Sequence, residues 1–182
     1  MTVIDVGSVL RHSANVPFSD LVTRPTGVAV RRCLERELAA LQEGDVALLD
    51  FSHIGMMDYS CADEVVAKLL LTLAASDSAP GFVVFHGITD AHLEAIEDVL
   101  HHHGLALVVH FADGGVRLVG AVSDDERSVW ELVVARGSVV VAEVAVAVGR
   151  ESGEMALVLD SLRRRRLLRN DGLTYAPVGP VA

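Results

Sequence analysis

The segment between residues 50 and 64 concentrates side chains that could do chemistry. Four carboxylates, Asp50, Asp58, Asp63 and Glu64, accompany the hydroxyl of Ser60. Carboxylate oxygens are the ligands that Mg²⁺ prefers, and an acidic loop after a parallel strand is a usual ligand position. The sequence has no phosphate-cradling glycine loop, no nucleophile elbow and no His–Asp pairing, however. We therefore expect no enzyme, with no catalytic residue, no bound metal and no cofactor.

Ser60 has two interpretations. The run Ser60-Cys61-Ala62-Asp63 fits a capping box, in which the Ser60 hydroxyl accepts a backbone N–H and Asp63 reaches back. Such a cap contributes ~1 kcal/mol. Alternatively, Ser60 accepts a phosphoryl group, which would face the positive end of a helix dipole. The carboxylates of Asp58 and Glu64 would oppose that charge, and the sequence leaves both interpretations open.

The same segment resembles the STAS domain family, named for sulfate transporters and anti-sigma-factor antagonists. Asp50-Phe51-Ser52 matches the end of the family's strand, and Met57-Asp58-Tyr59-Ser60 matches the loop that opens the next helix. Ser60 through Glu64 also match the Ser-x-Ala-Asp-Glu of STAS-like bacterial domains of uncharacterised function. The resemblance covers roughly residues 1–120 in element order, and its specific part is about fifteen residues long.

The resemblance implies a protein partner for this loop. In anti-sigma antagonists a partner kinase phosphorylates the second serine of the loop, which is Ser60 here, and the complex then dissociates. Asp58 is the acid beside it, and Asp63 belongs to the same surface. The expected Gly-Leu-Gly is replaced by Cys61-Ala62-Asp63, which makes the surface bulkier and acidic. The implied partner is a serine kinase or an anti-sigma-like protein.

Other metal-ligand types have simpler interpretations. His101, His102 and His103 are consecutive and would point in different directions on a helix, so they cannot chelate one ion together. They precede Gly104, where histidine suits the last turn of a helix. The two cysteines, Cys33 and Cys61, form no CxxC and are too few for a disulfide framework.

A second set of chemical groups lies near the carboxyl end, where arginines cluster around a short pattern. The pattern consists of Ala142-Glu143-Val144-Ala145, then Leu159-x-x-Leu162, a basic stretch, Leu167-Leu168 and a glycine turn leading to Tyr175. It resembles the winged helix-turn-helix domains of bacterial repressors across nearly all of residues 123–178.

That resemblance implies DNA binding and transcriptional regulation. Phosphate contacts would come from Arg163, Arg164, Arg166 and Arg169. Base contacts at the start of the recognition helix would come from Arg150 and Ser152, although two acids flank them there. A homodimer is expected in that case, because winged helices usually read paired half-sites. Alternatively, the arginine run is a solvated helix end, and the chain is a non-enzymatic adaptor whose winged helix contacts protein.

The elements that must position these residues follow from apolar periodicity. Residues 45–51, 82–86, 105–111 and 116–122 are predicted strands, and residues 1–10 a further one, followed by a loop over 11–25. Amphipathic helices begin at Thr26, after residue 58 and near residue 90. Strands alternating with helices indicate an α/β fold, a mostly parallel sheet flanked by helices. Asp113-Gly114-Gly115 predicts a hairpin that adds an antiparallel edge strand.

The pattern changes after Val122. Helices are predicted over 123–136, 140–148 and 154–166, and two short strands over 167–178. Residues 1–122 carry sixteen acidic and seven basic residues, whereas residues 123–182 carry nine and eight. We therefore predict two domains, a STAS-like domain over 1–122 and a small winged helix-turn-helix domain over 123–182.

Composition limits the remaining possibilities. The 182 residues are 51% hydrophobic and carry a net charge of −10, which disfavours disorder and nonspecific coating of nucleic acid or anionic membrane. The first apolar stretch contains Asp5 and lacks a basic flank, so it is not a signal peptide. No apolar run of ~18 residues appears, so no membrane span is expected. The expected location is the cytoplasm.

Overall fold

The structure, a computed structural model, describes residues 1–14, 19–75, 81–111 and 114–179. The chain divides into two compact units, Met1–Ala121 and Val122–Ala182. The predicted Asp113-Gly114-Gly115 hairpin falls partly on residues outside the described ones.

The first unit contains a five-stranded sheet in the order β1 to β5. The strands are β1 (Thr2–Asp5), β2 (Val46–Asp50), β3 (Phe82–His86), β4 (Ala106–His110) and β5 (Val116–Gly120). The first four strands pair in parallel, and β5 pairs antiparallel to β4. The predicted α/β class with a mostly parallel sheet flanked by helices is confirmed.

Helices connect the parallel strands. They are α1 (Val6–Ala14), α2 (Arg24–Leu38), α3 (Tyr59–Ala62), a π-helical segment (Asp63–Lys68), α4 (Leu69–Ala75) and α5 (Asp90–His103). Leu49, Phe85 and Val109 are neighbours on β2, β3 and β4 and belong to one apolar core. Helix residues such as Leu34 and Val66 belong to the same core. This burial supplies the main stabilising free energy of the unit.

The amino-terminal prediction is wrong in part. The strand ends at Asp5, and residues 6–14 form a helix rather than the remainder of a strand and a loop. The Asp5 carboxylate accepts hydrogen bonds from the Gly7 N–H and the Ser8 hydroxyl, both at 2.9 Å. These bonds satisfy groups at the start of the helix. Val6, Val9 and Leu10 then fall on its buried face.

The helix that follows Asp58 also departs from the expected pattern. Its middle turn is π-helical, and Leu69 is fully buried, whereas Leu70 is half-buried at the edge of the core. A π turn adds a residue to the helix and rotates the apolar face past it. Leu34, Leu38 and Val66 are buried.

The second unit consists of three helices and a two-stranded antiparallel sheet. The elements are α6 (Asp124–Arg136), α7 (Val141–Val148), α8 (Ser152–Arg164), β6 (Leu168–Asn170) and β7 (Tyr175–Pro177). Trp130 lies at the centre, 2% exposed, and its indole N–H donates to the Leu167 carbonyl at 3.2 Å. Ser123 caps α6 by accepting the Glu126 N–H at 3.1 Å. In the described part of the chain, no helix has the length and apolar character needed to cross a bilayer.

Candidate functional site

Backbone hydrogen bonds tie the loop before α3 to residues 19–21. The Leu21 N–H donates to the Met56 carbonyl at 2.8 Å, and the Asp58 N–H donates to the Leu21 carbonyl at 3.0 Å. The Gly55 N–H donates to the Ser19 carbonyl, also at 3.0 Å. These backbone bonds fix the approach to the helix, so the loop is a defined surface before any partner arrives.

Asp58 is the cap of the helix. Its carboxylate accepts the Cys61 N–H at 2.7 Å, the Ser60 hydroxyl at 2.8 Å and the Thr23 N–H at 2.9 Å. Burial would raise the pKa of this carboxyl, but the hydrogen bonds from Thr23, Cys61 and Ser60 outweigh it and lower the pKa.

The predicted capping box is therefore wrong. Ser60 does not accept a backbone N–H from residue 63; it donates its hydroxyl proton to Asp58. Asp58 has the extended backbone of a cap, φ −83° and ψ 163°, whereas Ser60 lies inside α3. Asp63 does not reach back to the cap and points toward cationic side chains.

Thr23 is the strained residue of the site. Its φ is +73°, a left-handed value that a β-branched residue rarely adopts. Its N–H donates to Asp58, and its carbonyl accepts the Cys61 thiol at 3.0 Å. Burial raises the pKa of Cys61 to about 12, so the thiol stays protonated and donates. Strain of this kind concentrates at functional sites and persists because surrounding bonds hold it.

Asp63 is buried and contacts basic side chains of α2, of α5 and of its own segment. The Arg24 guanidinium lies 2.7 Å from its Oδ2, the Lys68 ammonium 3.2 Å from the same oxygen, and His103 Nε2 2.9 Å from Oδ1. Burial alone would raise the pKa of Asp63, but these three partners hold it well below its usual range. The contacts tie the π-helical segment to α2 and α5.

Glu64 extends this network along α2. It pairs with Arg24 at 2.8 Å, with Arg31 at 3.1 Å and with Lys68. Arg31 also contacts Glu35 at 2.6 Å. Burial would raise the pKa of Glu64, and the hydrogen bonds from Lys68, Arg24 and Arg31 lower it instead. We call Arg24, Arg31, Asp63, Glu64, Lys68 and His103 the ion network.

The four carboxylates of the sequence motif each have partners of their own. Asp50 accepts the Ser52 N–H at 2.9 Å, Asp58 caps the helix, and Asp63 and Glu64 face cations. Within residues 1–14, 19–75, 81–111 and 114–179, no three Asp, Glu, His or Cys side chains are arranged to hold an ion. The four carboxylates are thus engaged by hydrogen bonds and ion pairs at separate points of the structure.

The histidine tract contributes one residue to the site. His101 and His103 lie in the last turn of α5, and Gly104 ends the helix with φ +66°. His103 reaches Asp63, a contact between residues forty positions apart. The sequence interpretation missed this role, since no local signal reports a tertiary ion pair.

The parallel strands also place Asp50 beside polar groups that were not recognised as its neighbours from the sequence. Asp5, Asp50, His86 and His110 occupy one register row at the carboxyl ends of β1 to β4. Burial and the neighbouring His86 lower the pKa of His110. The signal was present in the sequence, because each of these residues ends a strand.

Asp5 brings a serine and a histidine together without forming a catalytic triad. The Ser8 hydroxyl donates to Asp5 Oδ2 at 2.9 Å, and His53 Nδ1 lies 3.4 Å from Asp5 Oδ1. In a triad the histidine stands between serine and carboxylate, where it takes the serine proton. Here the carboxylate stands in the middle, so His53 does not activate Ser8.

In the second unit, Arg163 and Arg164 are the exposed arginines at the end of α8. The Arg164 side chain is 64% exposed, against 25% for Arg165. Both bind Asp160 one turn earlier, Arg163 at 2.8 Å and Arg164 at 3.1 Å. The bond from Arg163 lowers the pKa of Asp160, and any phosphate would have to compete with this carboxylate.

The remaining arginines of the run are less accessible. The helix ends at Arg164, two residues earlier than predicted, and Arg166 adopts φ +59°. Arg165 lies 3.0 Å from Glu126 on α6. Arg166 and Arg169 are half-buried. The structure thus separates the exposed pair, Arg163 and Arg164, from the other two predicted phosphate contacts.

The start of α8 carries the two predicted base-reading residues. Arg150 lies 2.7 Å from Asp125, and Ser152 is an exposed residue at the first position of the helix. Farther along the exposed side lie Glu154 and Leu157, the latter 70% exposed. The sequence analysis missed Leu157, which a leucine-rich helix pattern hides among core positions.

Comparison of the sequence with protein-family models finds no match, and comparison with curated proteins finds none.

Proposed function

We propose that this chain is a non-enzymatic cytoplasmic regulator whose first unit is STAS-like and contacts a partner protein through the Asp58–Ser60 loop. The observation that carries the proposal is the hydrogen bond from the Ser60 hydroxyl to Asp58, 2.8 Å long, inside a fully bonded helix cap. The loop's exposed neighbours, Met56 and Tyr59, offer apolar contact area to a protein.

Phosphorylation of Ser60 would dismantle this cap. A phosphoryl group replaces the proton that Ser60 donates and adds about −1.5 to −2 charges beside the Asp58 carboxylate. The phosphate would repel the Asp58 carboxylate. If the carboxylate moved away, it would lose its hydrogen bonds from the Thr23 and Cys61 N–H groups. A serine kinase acting here would switch the surface that an anti-sigma-like partner reads.

The test replaces Tyr59 with p-benzoylphenylalanine in the full chain and irradiates living cells. We expect a discrete covalent adduct when Ser60→Ala keeps the loop unphosphorylated. Ser60→Asp should reduce the adduct severalfold, because its carboxylate mimics the phosphate charge beside Asp58. The readout is the adduct yield on a blot.

A crosslinker at Leu173, an exposed residue of the second unit, serves as the control site. The adduct yield at Leu173 should be the same in the Ser60→Ala and Ser60→Asp variants. Equal adduct yields from the Ala and Asp variants at Tyr59, or no adduct from either, would contradict the proposal.

For the second unit we propose a winged helix that contacts protein. The exposed side of α8 presents Glu154 and Leu157, and Arg163 and Arg164 are paired with Asp160. At positions that would face DNA, the acid Glu154 would repel phosphate. Leu157 has no polar group with which to hydrogen-bond a base edge. A protein surface accommodates both.

DNA binding is the second candidate, and the exposure of Arg163 and Arg164 favours it. In that case Arg163→Ala and Arg164→Ala should each weaken binding for all sequences and reduce the salt slope by roughly one. Asp160→Asn should tighten binding, because it releases both guanidinium groups. Arg150→Ala should change sequence preference instead.

Fluorescence anisotropy of labelled duplexes across a salt titration measures these changes, with Arg36→Ala on α2 as the matched control. If the unit binds protein, DNA affinity stays negligible. Arg150→Ala, Arg163→Ala and Arg164→Ala then change folding stability by less than about 0.5 kcal/mol, as surface substitutions do.

A further inference from the structure

Helix α7 (Val141–Val148) is apolar in composition yet mostly exposed. Glu143 is its single charged residue, and Val144 and Ala145 are the buried ones in this fully described helix. Val146 is 83% exposed, although valine contributes favourable free energy when it leaves water. An apolar helix face of this kind marks an interaction surface.

The surface has a definite shape. Arg136, at the end of α6, and four residues of α7 line an open depression of about 350 Å³. The four are Ala142, Glu143, Val146 and Ala147. The small alanine side chains let another backbone approach closely, and Val146 adds exposed apolar surface beside them.

The charges at the rim identify the occupant. The depression has one cation, Arg136, and one anion, Glu143, around an apolar floor. A two-fold axis that brings each Arg136 to the Glu143 of a second copy would also bring the apolar residues of the two depressions together. Such a patch is self-complementary, which is the requirement for an isologous interface.

We propose that α7 forms a symmetric contact with a second copy of this chain. Nucleic acid fits this face poorly, because Ala142, Val146 and Ala147 offer neither cations nor donors to phosphate. The contact is independent of what the Asp58–Ser60 loop binds, so it stands or falls apart from the proposed function.

Sedimentation velocity of the full chain over a wide concentration range tests the proposal. We expect reversible self-association, and Val146→Asp should raise the dimer dissociation constant by about tenfold or more, because it buries an unpaired charge at the contact. Leu173→Asp is the matched control, since Leu173 is 81% exposed in the hairpin loop of the same unit. It should leave the association unchanged.

A charge exchange tests the symmetry itself. Arg136→Glu and Glu143→Arg should each weaken the dimer by placing like charges together, and the double variant should recover most of the affinity. Glu143 also accepts the Val140 N–H at 2.9 Å. Glu143→Gln keeps that acceptor, and thermal denaturation of each variant confirms that α7 remains folded.

Three results would overturn the proposal: a monomer at every concentration, a dimer insensitive to Val146→Asp, or a double variant that stays as weak as the single ones.

Discussion

At the residue scale, Asp58 and Ser60 have different roles at the start of α3: Asp58 accepts hydrogen bonds as the cap, and Ser60 donates one to it. Either residue type can cap a helix, and the backbone decides between them: Asp58 is extended, whereas Ser60 is already helical. The serine therefore keeps its proton for Asp58. Any change that removes the Ser60 hydroxyl proton therefore also removes a hydrogen bond from the cap.

The buried acids of the ion network give the first unit a pH dependence. The folded-state pKa of Asp63 and that of Glu64 lie below their unfolded values. A depressed carboxyl pKa contributes stability that is complete above the unfolded value, about 4, and that is lost as the pH falls further. Stability should therefore decline from about pH 5 downward.

Asp63→Asn should remove part of this dependence. We expect a loss of about 1–3 kcal/mol at pH 7, less than for a fully buried pair because Arg24 and Lys68 are partly in water. Urea unfolding between pH 3 and 7 should show a smaller difference from wild type at the acid end. Glu37→Gln, an exposed acid of α2, is the control. An unchanged pH profile for Asp63→Asn would contradict the assignment.

At the element scale, the helix after Asp58 shows how one extra residue redirects an apolar face. In a continuous α-helix Leu69 and Leu70 would lie about 100° apart around the axis, and both belong to the apolar stripe. The π-helical segment sets Leu69 at 0% exposure and leaves Leu70 at the rim. The same segment carries Asp63 and Glu64, so the distortion and the ion network occur together.

Truncation of the two leucines should separate their roles. Leu69→Ala should cost about 2–5 kcal/mol because it opens a cavity in the core. Leu70→Ala should cost about 1 kcal/mol, since water already reaches part of that side chain. Chemical denaturation monitored by circular dichroism measures both, and equal losses would contradict the assignment of Leu70 to the edge of the core.

At the scale of the whole molecule, the two compact units differ in how their charges are used. In the first unit, cations from α2 and the π-helical segment surround buried acids. In the second, Arg163 and Arg164 pair within their own helix. Negative charge is concentrated in the first unit, where sixteen acids outnumber seven bases before residue 123. A basic partner surface would therefore be attracted to the first unit rather than the second.

Apolar periodicity predicted the strands 82–86, 105–111 and 116–122 and the order of the three helices near the carboxyl end. These features depend on local repeats of two or 3.6 residues, which a sequence displays directly. The antiparallel edge was predicted from the Asp113-Gly114-Gly115 turn, and the Asp58–Ser60 loop from its residue types and its resemblance to the STAS family.

Tertiary structure decided the rest. Two sets of contacts join residues far apart in the chain: the bonds from Leu21 and Thr23 to the loop, and the contact of His103 with Asp63. The exposure of Val146 also depends on how the helices pack. The helix over 6–14 was missed because Asp5 can end a strand and cap a helix at once. Hydrogen bonds and ion pairs form only where folding brings two groups within about 3 Å of each other. The pattern of neighbouring residues does not show which distant residues will meet in this way.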